Sequence, residues 1–279
     1  MSKAGSVKAA LAEARHRGVD LLDARLMLAH LLSRTRTQLI AHDEYLLAPE
    51  VGTRWSDWLE RRAAGEPLAY LLGEKEFFGL MLEVTPDVLV PRPETELLVD
   101  WALELTPTSA SAPRILDLGT GSGAIALAIK QSRPQARVSA TDASPAALAV
   151  ARRNAGRHAL DVEWIEASWW QGLNGRRFDL VVANPPYVRE GDAALTVLRH
   201  EPRAALASGD DGLEALRAIV AGVDRSLATG GWLLLEHGFD QAEPVRALMT
   251  AAGLEDIKLR RDLAGHPRAT GACRSPASP

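Results

Sequence analysis

Apolar residues recur at helical spacing through the first quarter of the chain and gather into short runs separated by helical stretches over the rest. Val7, Leu11 and Ala14 share one helical face, and Gly18 offers a stop. Asp20 is placed to cap a second helix, in which Leu21, Leu22, Leu26, Leu28, Ala29 and Leu32 form a wide apolar stripe. A third helix is expected from Pro49 to Ala64, with Pro49 in the first turn and Trp55, Trp58 and Leu59 packing it. These elements predict a small helical bundle.

The character changes near Pro67. Glu76 to Val84 (EFFGLMLEV) is aromatic and apolar around a central glycine, which predicts a hairpin joining two domains or an edge strand of the second. Two prolines then bracket Arg92 and force it into an extended segment. A helix from Thr95 to Leu105 follows, then a loop from Thr106 to Pro113.

From Arg114 onward, strands alternate with helices. Strands are expected at Ile115–Leu118, Val138–Thr141, Val162–Ile165, Leu180–Ala183, Trp232–Leu235 and Ile257–Leu259. Helices are expected at Ala124–Gln131, Pro145–Ala155, Leu213–Leu227 and Gln241–Ala252. That alternation predicts an α/β fold with a mostly parallel sheet covered on both faces. The tail from Arg274 to Pro279 reads as disordered. The expected division is a helical domain over residues 1–73, a hairpin linker over 74–91 and an α/β domain over 92–279.

Composition narrows the chemistry. The 279 residues carry 36 acidic and 32 basic side chains, a formal net charge of -4, which argues against a protein held to duplex DNA mainly through phosphates. One cysteine, Cys273, leaves no disulfide within the chain and disfavours a cysteine metal site. No metal constellation is present in the sequence. The first ten residues lack the apolar core of a signal peptide, and the longest apolar stretch, Ala124 to Ile129, is too short to cross a bilayer. A cytoplasmic monomer with no membrane contact is expected.

Two segments carry chemistry. Asp117-Leu118-Gly119-Thr120-Gly121-Ser122-Gly123 ends the first strand and opens a helix. Glycines there let the backbone turn tightly and approach a ligand. The G-x-G-x-G spacing differs from the G-x-G-x-x-G of dinucleotide binders, which disfavours an oxidoreductase. Asp142, at the end of the second strand, is positioned to accept hydrogen bonds from ribose hydroxyls. Ser144 is the better cap for the helix that begins at Pro145. Ser168, Trp169 and Trp170 reach the same edge, where an aromatic ring either packs on a nucleobase or belongs to the core.

The second segment is Asn184-Pro185-Pro186-Tyr187, directly after the apolar strand that begins at Phe178. The Asn184 carboxamide oxygen and the Pro185 carbonyl can each accept an N–H, and proline adds no competing donor. Tyr187 offers a flat face for a planar amide or base. Such an edge suits an NH2 group.

At these residues the chain resembles the bacterial glutamine N5-methyltransferases that modify peptide chain release factors. The resemblance covers nearly the whole chain. It runs through Arg61-Arg62-Ala63-Ala64-Gly65-Glu66-Pro67-Leu68-Ala69-Tyr70, Val90-Pro91-Arg92-Pro93-Glu94-Thr95-Glu96, the glycine loop, Asn184 to Tyr187, Glu201-Pro202 and Leu235-Glu236-His237-Gly238. Asn-Pro-Pro-Tyr alone is shared with enzymes that methylate exocyclic amines of nucleic-acid bases, the rival function.

The resemblance implies a class I, Rossmann-like methyltransferase domain behind a helical domain that helps to bind the release factor. It implies S-adenosylmethionine as methyl donor, S-adenosylhomocysteine as product, and the glutamine of a Gly-Gly-Gln loop as substrate, with no stable nucleic-acid partner. By residue match, Gly119, Thr120, Gly121, Ser122, Gly123, Asp142, Trp169 and Asn184 would contact cofactor. Asn184, Pro185 and Tyr187 would be catalytic, and with Pro186 would hold the glutamine, while Arg92 and Glu94 would shape the mouth. Ser168 and His200 depart from the family, which often has an acidic residue and an aromatic there, and the sequence drifts after Asp262. A non-catalytic binding module that kept the fold is disfavoured by the intact Asn184 and Tyr187.

Overall fold

The computed structural model describes residues 5–106, 112–173 and 175–275. Residues 107–111 of the expected loop and 276–279 of the expected disordered tail lie outside them. The chain forms two compact units, Met1–Glu74 and Lys75–Pro279.

In the first unit, α1 (Val7–His16), α2 (Leu21–Leu32), α3 (Arg36–Ala41), α4 (Pro49–Ala63) and α5 (Leu68–Leu72) surround Met27, Leu28, Trp55, Trp58 and Leu59. Asp20 caps α2 by accepting from the Leu22 amide at 2.7 Å. The short α3 lacks a long apolar stripe and is held by a reciprocal cap between Thr35 and Gln38. Arg61 clasps Glu66 with two N–H donors at 2.8 and 2.6 Å, and Arg62 donates to Asp23 at 2.8 Å. The Arg-Arg-Ala-Ala-Gly-Glu segment therefore locks the end of α4 inside this unit.

The second unit opens with a hairpin, β1 (Glu74–Phe77) and β2 (Leu80–Glu83), and a 3-10 turn over Pro93–Thr95 that leads into α6 (Glu96–Leu105). Next come β3 (Arg114–Leu118), α7 (Ala124–Ser132), β4 (Arg137–Asp142), α8 (Pro145–His158), β5 (Glu163–Glu166) and β6 (Phe178–Ala183). The remainder is α9 (Ala193–Val197), α10 (Glu214–Ala221), α11 (Val223–Ser226), β7 (Leu227–Glu236), α12 (Ala242–Ala251), β8 (Glu255–Arg261) and β9 (Pro267–Cys273). The sheet runs β5-β4-β3-β6-β7-β9-β8.

Strand periodicity sorts side chains onto two faces. Ile115, Leu180, Val182 and Leu234 join one core with α6 and α7, whereas Leu116, Leu118, Val181 and Leu233 join the other with α10 and α12. The five strands from β5 to β7 are parallel, and β9 pairs antiparallel with both β7 and β8. The alternation of apolar runs does not predict β9, because its PRATGAC sequence has none. Its Gly271 lies so close to β7 and α6 that a Cβ would meet Leu234 and Trp101 at 2.6 Å.

The helix expected over Leu213–Leu227 is interrupted. Trp170 presses on Gly222, where any Cβ would collide with its indole, and the indole Nε1 donates to the Ile219 carbonyl at 2.9 Å. Leu227 already belongs to β7.

Candidate active site

A cavity of about 400 Å³ opens at the carboxyl ends of β3, β4, β5 and β6. Ligands bind at this rim in open α/β sheets, and the volume lies within the roughly 300–1,000 Å³ of small-molecule sites. Arg92, Gly119, Thr120, Gly121, Ser122, Asp142, Trp169, Asn184 and Pro186 line it. Gly123, Pro185, Tyr187 and Glu94 do not form its wall.

The glycine loop is pinned from several sides. The Thr141 carbonyl accepts from the Gly119 and Thr120 amides, both at 2.9 Å. Asp142 accepts from Gly121 N at 2.9 Å through Oδ2 and from Ser144 N at 2.8 Å through Oδ1. A carboxylate offers about four acceptor positions, so each oxygen of Asp142 keeps one. Asp117 is fully buried, accepts from the Thr120 hydroxyl at 2.6 Å and the Ala126 amide at 3.2 Å, and leaves Oδ1 without a partner. Burial pushes its carboxyl up to about 7, against the pull of the Thr120 and Ala126 hydrogen bonds.

The glycines divide by role. Gly121 has φ 56° and an ideal Cβ there would touch nothing within 4 Å, so its bare face looks into open space. Gly123 has φ 85°, and a Cβ would meet Leu127 and Trp164 at 3.1 Å and Ala151 at 3.2 Å. It is the close-packed point where α7 crosses the core, which is why it is absent from the wall.

The two tryptophans separate as well. Trp169, itself at φ 49°, lies over Gly119, where a Cβ would stand 3.3 Å from its ring, and it faces the cavity. Trp170 is a packing residue against α10 and Gly222.

Asn184 ends β6, half-buried, and its Nδ2 donates to the Thr95 hydroxyl at 3.0 Å. Among the described residues no donor reaches its Oδ1. Pro185, next to it in the chain, is buried. Tyr187 turns away from the cavity, packs against the core beneath α10 and α12, and donates its hydroxyl to Glu236 Oε1 at 3.3 Å. Burial, with the neighbouring Glu236 charge, pushes the Tyr187 phenol well above its ordinary range. The flat ring read from the sequence thus serves the core face.

Arg92 is extended and lies 2.5 Å from Glu201, whose side chain is 1% exposed. Glu201 also accepts from the Val90 amide at 3.0 Å. This pair, with its carboxylate buried and its guanidinium partly exposed, ties the Pro-Arg-Pro segment to the Glu-Pro segment, so the wall at Arg92 and Pro202 is built as one piece. Glu94 is exposed beside it.

Three further residues organise the site. Asn154 in α8 donates to the Ser122 and Glu83 carbonyls at 2.9 and 3.0 Å and accepts from Glu83 N at 2.6 Å. Gln241 donates to the Tyr187 carbonyl at 3.0 Å and accepts from Gly238 N at 2.9 Å, which fastens the Asn-Pro-Pro-Tyr turn. Glu236 closes β7 at 1% exposure with Oε2 unpartnered, and burial pushes its carboxyl up to about 7 against the pull of Thr95, Arg268 and Tyr187. Asn154 and Glu236 each stand as a polar residue inside an apolar pattern, and Glu236 also belongs to the Leu-Glu-His-Gly segment, whereas Gln241 carries no such signal.

The sequence and the fold both match known families. Residues 6–73 match the PrmC N-terminal domain, and residues 95–212 match the Methyltransferase small domain. A release factor glutamine methyltransferase of Burkholderia pseudomallei is 52% identical over 263 residues, which are 91% of this chain and 92% of that one. One of Bordetella pertussis is 49% identical over 91% of this chain and 95% of that one. A methyltransferase structure from Pyrococcus furiosus aligns with a TM-score of 0.55 over 79% of this chain and 100% of the other, at 18% identity, and so bears on the fold alone.

Proposed function

Because the chain belongs to the release factor glutamine methyltransferase family, we propose that it methylates the side-chain amide nitrogen of the glutamine in a release factor's Gly-Gly-Gln loop. The observation that carries this reading is the tethered Asn184, whose Nδ2 is held by Thr95 while Oδ1 remains as an acceptor at a cavity floored by the glycine loop. A cytoplasmic site of action follows from that substrate. We assign residues 1–73 to recognition of the release factor, 74–91 to the linking hairpin and 92–279 to transfer.

The cavity residues fit S-adenosylmethionine. Asp142 keeps two acceptor positions for ribose hydroxyls, Trp169 supplies a ring face for adenine, and Gly121 leaves space where any side chain would intrude. The amino end of α7, through Ser122 and Ala124, faces the same cavity and suits a carboxylate. Bound there, S-adenosylmethionine supplies a methyl group on positively charged sulfur, and S-adenosylhomocysteine is the product.

The remaining work falls to the chain. An amide nitrogen is a poor nucleophile because its lone pair is delocalised. Asn184 Oδ1 and the Pro185 carbonyl, accepting its two N–H groups, raise the electron density on nitrogen and orient it. Proline contributes no N–H to compete. No strong base is required, since the proton can leave after the methyl group has moved.

Labelled S-adenosylmethionine, offered with a release factor and its Gly-Gly-Gln→Gly-Gly-Ala variant, tests the substrate. Label is expected on the parent alone. Asn184→Ala is expected to lower kcat by about 100-fold or more while cofactor affinity holds. Equal labelling of both release factors, or full activity of Asn184→Ala, overturns the reading. Labelling of RNA or DNA instead would favour base methylation.

A further inference from the structure

We infer that Phe239, Leu263 and His266 form a docking surface for the protein substrate, and that it takes an uncharged, apolar segment of the release factor beside the Gly-Gly-Gln loop. The inference rests on the substrate proposed above.

Strand direction puts these residues on the catalytic edge. β7 runs parallel to β6, and β8 runs the same way, because β9 is antiparallel to both β7 and β8. The turns that follow β7 and β8 therefore emerge at the edge where Asn184 leaves β6. Phe239 stands in the first of these turns, and Leu263 and His266 stand in the second. The Phe239 and His266 rings lie against each other, with centroids 6.0 Å apart.

Both turns are firmly built. Asp262 accepts from the Ala264 and His266 amides at 3.0 and 2.9 Å, and its own amide donates to the His266 carbonyl at 2.9 Å. Arg268 reaches the same carboxylate at 3.3 Å. In the first turn, Gly238 N donates to Gln241 Oε1 at 2.9 Å, and Gln241 Nε2 donates to the Tyr187 carbonyl at 3.0 Å. Asp240 pairs with Arg189 at 2.6 Å. The Phe239 turn is thus fastened to the segment that carries Asn184 and Pro185.

These turns hold apolar side chains in water. Phe239 is 63% exposed and Leu263 is fully exposed, with Ala264 and Gly265 exposed beside it. Charged residues border them: Asp240 with its partner Arg189, and Arg261 before the second turn. Exposed apolar surface with a polar rim marks a site of protein contact.

The occupant follows from the reach of the substrate. A glutamine side chain spans about 5 Å from its Cα to its amide nitrogen. The chain that delivers it to Asn184 must lie on this edge, and the protein behind that chain covers the surface around it. Phe239 and Leu263 meet that protein, not the cofactor.

The test measures kcat, KM for a release factor, S-adenosylmethionine affinity and oligomeric state for Leu263→Asp, Phe239→Asp, Leu263→Met and Met81→Asp. Met81 is the control: it is 42% exposed, but its carbonyl is bonded to His158 at the carboxyl end of α8, away from the catalytic edge. Leu263→Asp and Phe239→Asp are each expected to raise KM by about tenfold or more, as loss of a buried apolar side chain requires. Their kcat and cofactor affinity are expected to stay within about threefold, since only binding common to ground and transition states is lost. Leu263→Met and Met81→Asp are expected to keep KM within about threefold.

A parental KM in Leu263→Asp, an equal rise in Met81→Asp, or a matching loss of cofactor affinity overturns the inference. So does a dimeric parent that Leu263→Asp makes monomeric, which would give the surface to a second copy of the chain. If Phe239→Asp does not fold, Leu263→Asp against Leu263→Met still decides it. A parent that labels the Gly-Gly-Gln glutamine alongside variants of parental KM would sink only the docking surface. Equal labelling of the Gly-Gly-Ala release factor would sink the reading beneath it.

Discussion

The glycine loop provides a test in which neighbouring positions of one motif must fail in different ways. Gly123→Ala places a methyl group 3.1 Å from Leu127 and Trp164 and 3.2 Å from Ala151, at a residue whose φ is 85°. The left-handed backbone costs roughly 1–2 kcal/mol for a residue with a Cβ. Overpacking adds roughly 1–3 kcal/mol. A loss of about 3 kcal/mol corresponds to about 6–12 °C in melting temperature for a unit of this size.

Gly121→Ala meets nothing within 4 Å, so it carries only the backbone cost, about 1 kcal/mol. Its methyl group instead points into space that a ligand would fill. Urea unfolding and calorimetric titration of S-adenosylmethionine on both variants separate the two. Gly123→Ala should lose stability first, and Gly121→Ala should lose affinity with little loss of stability. Equal destabilisation of the two, or parental stability in Gly123→Ala, would refute the division of roles.

Two further outcomes are expected. Trp169→Ala should weaken S-adenosylmethionine binding by roughly 5- to 150-fold, the equivalent of 1–3 kcal/mol for a lost ring-on-base contact; Trp170→Phe should leave affinity alone and cost about 1 kcal/mol of stability through the lost bond to Ile219. Asp117, raised from 3.8 to about 7 by burial, holds a proton in the folded chain that the unfolded chain releases. Its contribution to stability is therefore full below pH 4, is lost as pH rises to about 7, and is flat above. Asp117→Asn cannot ionise, so the difference in unfolding free energy between variant and parent should move in the variant's favour between pH 4 and 8, by up to about 4 kcal/mol. A pH-independent difference in urea titrations would show that Asp117 does not titrate in this way.

Much of this architecture is legible in the sequence wherever burial imposes a period. The parallel strands announce themselves because they are apolar on both faces, and the segments carrying chemistry follow directly from their ends. β9 escapes because it packs by being small, and Gly271 against Trp101 leaves no apolar run to detect. The same physics hides Asn154, which sits between Ala151 and Ala155 on the buried face of α8 and looks like an interruption of that face. Tyr187 shows the opposite case. Its motif stands directly after β6, yet the ring packs against the core and donates to Glu236, 49 residues away, a partner that no local pattern encodes. The roles of Trp169 and Trp170 are likewise decided by backbone turn and by Gly222, not by residue type.

The strand order has a consequence for how the chain is made. β8 is synthesised before β9 but lies outside it in the sheet, and β9 fills the gap between β7 and β8. A nascent chain that ends short of Pro267 therefore lacks the strand that pairs with the edge of β7, a run rich in leucine. Such an edge is a template for pairing with other chains. Premature stops or proteolytic clipping just before β9 should accordingly produce aggregates, not a slightly shortened soluble protein, and chaperone demand should peak in the final moments of translation.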